Sequence, residues 1–270
     1  MAKKPTKKAA TESAQKSAVN ISGNALFYKS PQPLAREQHQ NYGVNVIEKP
    51  FAFMQEQHFL PITAAEFAGA SSSSPIIFAG EDKTPLFVMG IRSNENLFVD
   101  DGKYNQDFYL PAFARRYPFV LASDPNSDRL IVCVDEEAEC VSKSKSQHPF
   151  FDGEEATKYT NDAFEFLQNF ERDRLATKAM VDRFTELDLF ESKEMNFQGR
   201  MADGSLAQKQ KIADYFAVTE ERLRKLDDKT VSELNKNGYL AAAHAHMISL
   251  VNWQRLVNMT LRKQMAEQSA

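Results

Sequence analysis

The chain of 270 residues reads as an α+β protein, with an antiparallel, sheet-rich N-terminal half packed against a helical C-terminal half. Three observations predict this. Between Pro75 and Asp135, short apolar runs rich in β-branched or aromatic residues follow one another, separated by turn residues. No helix-length segment alternates with them, which favours an antiparallel sheet over a doubly wound parallel one. After about residue 155 the apolar spacing changes to the three-and-four rhythm of a helix face. The composition, 42% apolar and 26% charged, is enough for a core, and the length suits one large domain.

The elements follow in order. Residues 1–20 hold five lysines against the single Glu12 and no apolar period, so they read as a disordered basic tail. The tail either solubilises the chain or holds weakly to anionic lipid or nucleic acid. It has no apolar stretch of a secretory signal, which places the chain in the cytoplasm unless a non-classical route exports it. Residues 21–266 form one α+β domain, sheet-rich at about 50–140 and helical at about 155–266. Thr63 and Glu66 have capping-box spacing, and Ile62 and Phe67 occupy the hydrophobic-staple positions. A short helix should therefore start at Thr63 and stop before Ser71, with Glu66 already committed to closing its cap.

Strands are expected at Ile76-Ile77-Phe78, Leu86–Met89, Leu97-Phe98-Val99, Phe119-Val120-Leu121 and Leu130–Val134. Turns are expected at Gly80-Glu81-Asp82, Asp100-Asp101-Gly102 and Ser123–Asn126. Tyr159, Ala163, Phe166, Leu167 and Phe170 share one helix face, which Val181, Phe184 and Leu187 continue. A loop near Gly199 and Gly204 precedes a short strand at Tyr215–Val218. Thr219 reads as an N-cap, and Asn237-Gly238 as the stop of a helix near 229–236. The last helix should run from about Tyr239 to Gln264.

Chemistry is sparse. The phosphate-loop, dinucleotide and nucleophile-elbow motifs are absent, so no cofactor is expected. The formal charge is −4. Setting aside the first 16 residues leaves 28 basic and 36 acidic residues, a charge of −8, which argues against a nucleic-acid partner. No apolar run is long enough to cross a bilayer. Cys133 and Cys140 make no metal or redox spacing and read as reduced thiols. His244 and His246 lie two apart on a helical pattern and point away from each other, so no metal site is expected. His246 falls on a row with Leu250, Trp253 and Val257 and reads as a packed, hydrogen-bonded residue.

The densest polar cluster is Tyr109–Phe119, where Arg115 and Arg116 sit among aromatics and two prolines. Pro111 suits the first turn of a short helix, and Tyr117, before Pro118, should be extended. Arg offers a planar fork for a carboxylate or phosphate. The fork pairs internally with Asp100, Asp101, Asp135 or Glu136, receives an anionic ligand, or stacks with its aromatics on nucleic acid, which the acidic body opposes. The pairing reading expects at least one arginine to be buried against a carboxylate.

Several of these segments, in order, resemble the SapC family of bacterial proteins. They are His58–Phe67, Pro75–Phe78, Met89–Arg92, Glu95–Asp100, Tyr109–Phe119, Val132–Glu136, Asn237–Leu240 and Ala245–Leu256, within residues 50–260. The resemblance implies a link to bacterial surface layers and an association with outer-membrane receptors and flavin-dependent halogenases. It carries over no catalytic residues, and the absence of spanning segments separates the chain from the peptide-transport permease of the same name. The leading expectation is a non-catalytic binding or accessory protein of SapC type, serving surface-layer assembly or nutrient processing, with an unknown protein or a small anion as partner. The alternative is a metal-independent enzyme on a small anionic or peptide substrate. His58, Arg115, Arg116 and Asp135 are the candidate ligand-binding residues, and an enzyme should gather them around one concave pocket.

Overall fold

The apolar runs between residues 59 and 135 pair into two antiparallel sheets. The computed structural model describes residues 20–21, 26–123, 129–198 and 208–269. Most of the expected basic tail, the turn beyond Ser123 and the loop at Gly199 and Gly204 lie outside the described residues. One sheet has four strands: β1 (Asn20–Ile21), β2 (Pro31–Pro33), β6 (Phe119–Ser123) and β7 (Leu130–Asp135), in the order β1-β6-β7-β2. The other has five: β3 (Phe59–Pro61), β4 (Ile76–Ala79), β5 (Thr84–Val88), β8 (Phe190–Phe197) and β9 (Gln210–Val218), in the order β8-β9-β4-β5-β3. Every pairing in both sheets is antiparallel. The chain is thus α+β, as its pattern predicts.

The division into halves is less clean than the pattern suggests. The long hairpin β8–β9 comes from the C-terminal half and completes the larger sheet. Only the strand at Tyr215–Val218 is visible in the pattern, and it extends back to Gln210. Its partner Phe190–Phe197 is masked by Glu191, Lys193 and Glu194, which an edge strand tolerates because one side faces solvent. Conversely, Leu97 and Phe98 lie in a turn, and the small hairpin there pairs Val99–Asp100 with Lys103–Tyr104.

Five helices matter here: α1 (Ala112–Arg115), α2 (Lys158–Glu186), α3 (Asp228–Lys236), α4 (Tyr239–Ser249) and α5 (Trp253–Ser269). With 29 residues, α2 is about 43 Å long and spans both sheets. Its first half sets Leu167 against Phe119, Leu121, Val134 and Phe150 of the smaller core. Its second half sets Met180, Val181 and Phe184 into the main core with Phe78 and Phe190. The expected stop at Gly238 is present, with φ +74°, a conformation glycine adopts without strain. A 3-10 turn at Leu250–Asn252 interrupts the last helical run between α4 and α5. Thr219 stands in the N-cap position of Glu220–Leu223, but its hydroxyl makes no capping bond.

The predicted capping box forms. The Glu66 carboxylate accepts from the Thr63 N–H and hydroxyl, both at 2.9 Å, and Ile62 and Phe67 are buried beside it. The first turn is a 3-10 helix, Ala64–Glu66, which continues as Phe67–Ala70. This corner carries the next segment, because the same carboxylate reaches across to α1.

Candidate functional site

A cavity of about 590 Å3 opens between the edge of the larger sheet and α2. That volume lies within the range of small-molecule sites. Phe59, Pro61 and Ile62 of β3 and its continuation form one wall, and the β4–β5 turn with Pro85 and Leu86 forms a second. Helix α2 supplies the third, from Phe170 to Asp182, and Phe113 and Arg116 lie at the end of α1. Most of the lining is apolar. Its polar members include Asp82, Thr84, Arg174, Lys178 and Asp182.

Arg116 is 4% exposed, and its position follows from local sequence. Pro111 begins α1 in an extended conformation, and Phe113 and Arg116, three residues apart, then share a helix face. The guanidinium carbon lies 4.1 Å from the Phe113 ring centroid, 4.9 Å from Phe170 and 5.6 Å from Tyr28. Phe113 and Phe170 stabilise the cation but offer its N–H groups no oxygen acceptor. Its Nε and Nη2 are buried and have no hydrogen-bond partner. Burial pushes the Arg116 pKa below its usual value, and it raises the neighbouring Tyr28 hydroxyl to about 12 against the opposing pull of Arg116.

The other candidate residues do not join Arg116 in this wall. Arg115 leaves 44% of its side chain exposed and lies 3.9 Å from Glu66 and 5.3 Å from the Phe166 ring. Its partner is therefore Glu66, not the expected Asp100, Asp101, Asp135 or Glu136. Glu66 also accepts from the Ala112 N–H at 2.6 Å and the Tyr109 hydroxyl at 3.1 Å, which ties the capping box to α1. Asp135 is fully buried, but its carboxylate accepts backbone N–H groups: Lys29 at 2.9 Å, Ser30 at 2.8 Å and Glu137 at 3.2 Å. The expected arginine–carboxylate pin is thus corrected. Asp135 binds the chain into a corner, and Arg116 is held by rings. His58 is half-buried with its ring against Phe59, and burial lowers its pKa. Its carbonyl accepts from Met89 and Gly90 N–H groups, which bind it to the end of β5.

His246 is buried and fully bonded. Its Nε2 accepts from the Val218 N–H at 3.1 Å, so Nδ1 carries the proton that it donates to the Ile76 carbonyl at 2.8 Å. Ser249 accepts the Ile76 N–H at 2.9 Å. Helix α4 thereby closes the seam between β9 and β4, which share a single ladder pair, Phe216 with Phe78. Burial pushes the His246 pKa down to about 4. Cys133 and Cys140 are free thiols pushed up to about 11 by burial, which keeps them protonated. Among the described residues no three His, Cys, Asp or Glu side chains cluster as metal ligands, and no helix is long and apolar enough to cross a membrane.

The cavity residues that sequence reasoning missed are the ones brought from afar: Phe59, the β4–β5 turn and the Phe170–Asp182 face. The available signal was the spacing of Phe113 and Arg116 on α1 and the place of Phe170 on a predicted helix face.

Fold and cavity together define an α+β protein with a small-molecule-sized pocket ending at a buried arginine. A family model described as SapC matches residues 34–256, which is most of the chain, and the protein belongs to the SapC family. No curated protein and no solved structure matches it.

Proposed function

We propose that the protein is a non-catalytic binding or accessory protein of the SapC type whose cavity takes a small anionic ligand. The observation that carries this is Arg116, a buried cation in the cavity wall with two N–H groups unmatched. Leaving such donors unpaired is costly, and a ligand anion would remove that cost. The residues first named for an enzyme, His58, Arg115 and Asp135, stand outside this wall, which supports binding over that alternative. In this proposal the setting is the bacterial cytoplasm, with surface-layer assembly or nutrient processing as the process served, in line with the family resemblance.

A thermal-shift screen of small organic anions tests the reading. A ligand at a hundred times its Kd adds about 2.7 kcal/mol to the apparent stability. At least one anion should raise the melting temperature of the natural chain and leave Thr84→Trp, whose indole fills the mouth, unmoved. The recovered anion should be chemically unchanged after long incubation. Conversion to a product would make the protein an enzyme, and no shift from any anion would remove the proposal.

A further inference from the structure

Resting on that reading, the geometry points to a narrower ligand class: we infer that the cavity takes a monocarboxylic acid with an apolar body, its carboxylate seated on the Nε–Nη2 edge of Arg116. The two unmatched donors are neighbours on one edge of the guanidinium, spaced to meet the two oxygens of one carboxylate. The protein uses that edge in this way elsewhere. Arg174 binds Glu171 through Nε and Nη2 at 2.8 and 2.7 Å, and Arg183 binds Glu233 through the same pair, each at 2.9 Å. Phe113 and Phe170 beside it offer no acceptor, and the N–H donors of Arg116 lie in the guanidinium plane, which suits a planar acceptor.

Charge limits the ligand to a single negative group. The other cations of the wall are occupied, Arg174 by Glu171 and Lys178 by Asp182 at 2.6 Å. Asp82 and Asp182 add negative charge to the lining and oppose a dianion. Phe59, Pro85, Leu86 and Val181 offer nothing to a second polar group and suit a hydrocarbon body. Water does not reach the Nε–Nη2 edge in this conformation, so the carboxylate gains it with a side-chain shift at the ring pair Phe113 and Phe170.

The test is calorimetric titration of the full chain with 4-phenylbutyrate and decanoate as probes. Three controls, titrated like the probes at about pH 9, separate the contributions: 4-phenylbutyramide lacks the charge, 4-phenylbutylphosphonate carries two, and succinate lacks the apolar body. At least one of the two carboxylate probes should bind, the amide at least tenfold more weakly, the phosphonate several-fold more weakly, and succinate not measurably. Arg116→Lys should lose at least tenfold, because Lys keeps the charge without the fork. Thr84→Trp keeps Arg116 and the fold, and should abolish binding. Asp82→Asn should improve the phosphonate several-fold while leaving the carboxylate nearly unchanged. Tighter binding of phosphonate or succinate that still depends on Arg116 would overturn the monocarboxylate and leave the anion site standing. Binding of either probe that survives both Arg116→Lys and Thr84→Trp, or no binding of either, would overturn the inference. Failure of the wider anion screen as well would remove the site itself.

Discussion

His246 and Arg116 are both buried and polar, yet they stand in opposite conditions. Both ring nitrogens of His246 are matched by backbone groups of two strands. Asp135 is similar, with three backbone N–H groups on one carboxylate. Arg116, in the cavity wall, lies against the rings of Phe113 and Phe170, and its buried Nε and Nη2 have no hydrogen-bond partner. Folding alone explains the first two, since a buried polar group that holds chain segments together must be satisfied. It does not explain an arginine kept charged with Nε and Nη2 unmatched, where an apolar side chain of similar volume would serve the core as well or better. The difference separates residues that pin the fold from one reserved for something the fold does not contain.

That contrast breaks most visibly at Asp135. Asp135→Ala should leave the N–H groups of Lys29, Ser30 and Glu137 without acceptors and cost about 4 kcal/mol, read by urea unfolding. Asp135→Asn keeps one acceptor oxygen and should cost about half as much. A loss below 1 kcal/mol for the alanine variant would mean that water replaces the carboxylate and that the corner is not a pin.

The next effect is a pH dependence at the strand seam. The folded pKa of His246, about 4, lies below its unfolded value of about 6.5, so the unfolded chain takes up the proton first. Its contribution to stability is therefore complete above about pH 6.5, falls as the pH drops from there to about 4, and changes no further below. The shift corresponds to about 3 kcal/mol. His246→Gln should flatten that part of the stability–pH curve. An unchanged slope between pH 6.5 and 4 would assign the acid sensitivity to other groups.

How much of this contrast was legible in advance depends on the range of the interactions. The capping box of Thr63 and Glu66, the stop at Gly238 and the face of α2 are local, and their spacing announces them. The burial of His246 was legible too, because its row of apolar neighbours is helical. The partners of the arginines were not. Glu66 reads as a cap residue and is one, but its second oxygen reaches α1 through tertiary folding alone. Asp135 sits among acids that look available, and only the backbone turn at Lys29 and Ser30 shows that its oxygens are used. Strand β8 was hidden because charged residues interrupt its apolar pattern; Lys193 pairs with Glu191 along the strand and Glu194 with Lys211 of β9. The cavity itself unites segments that no local pattern connects.

A smaller effect separates the two adjacent arginines. Arg115 is partly exposed and 3.9 Å from its carboxylate, so Arg115→Ala should cost no more than about 1 kcal/mol. It should leave binding of 4-phenylbutyrate within about threefold of the natural chain. A loss as large as that of Arg116→Lys would place both arginines in the site.

The central claim is that Arg116 is held for a ligand and not for the fold, and the stability of ligand-free Arg116→Met tests it most directly. Methionine fills a similar space, removes the buried charge and breaks no ion pair among the described residues; the neighbouring Tyr28 hydroxyl keeps its bond to the Phe119 carbonyl, and Glu171 keeps Arg174. Urea unfolding of the ligand-free variant should give a stability equal to or above that of the natural chain. A loss of about 3 kcal/mol or more, comparable to that of Asp135→Ala, would show that the ring-bound guanidinium is itself a pin and would contradict the account.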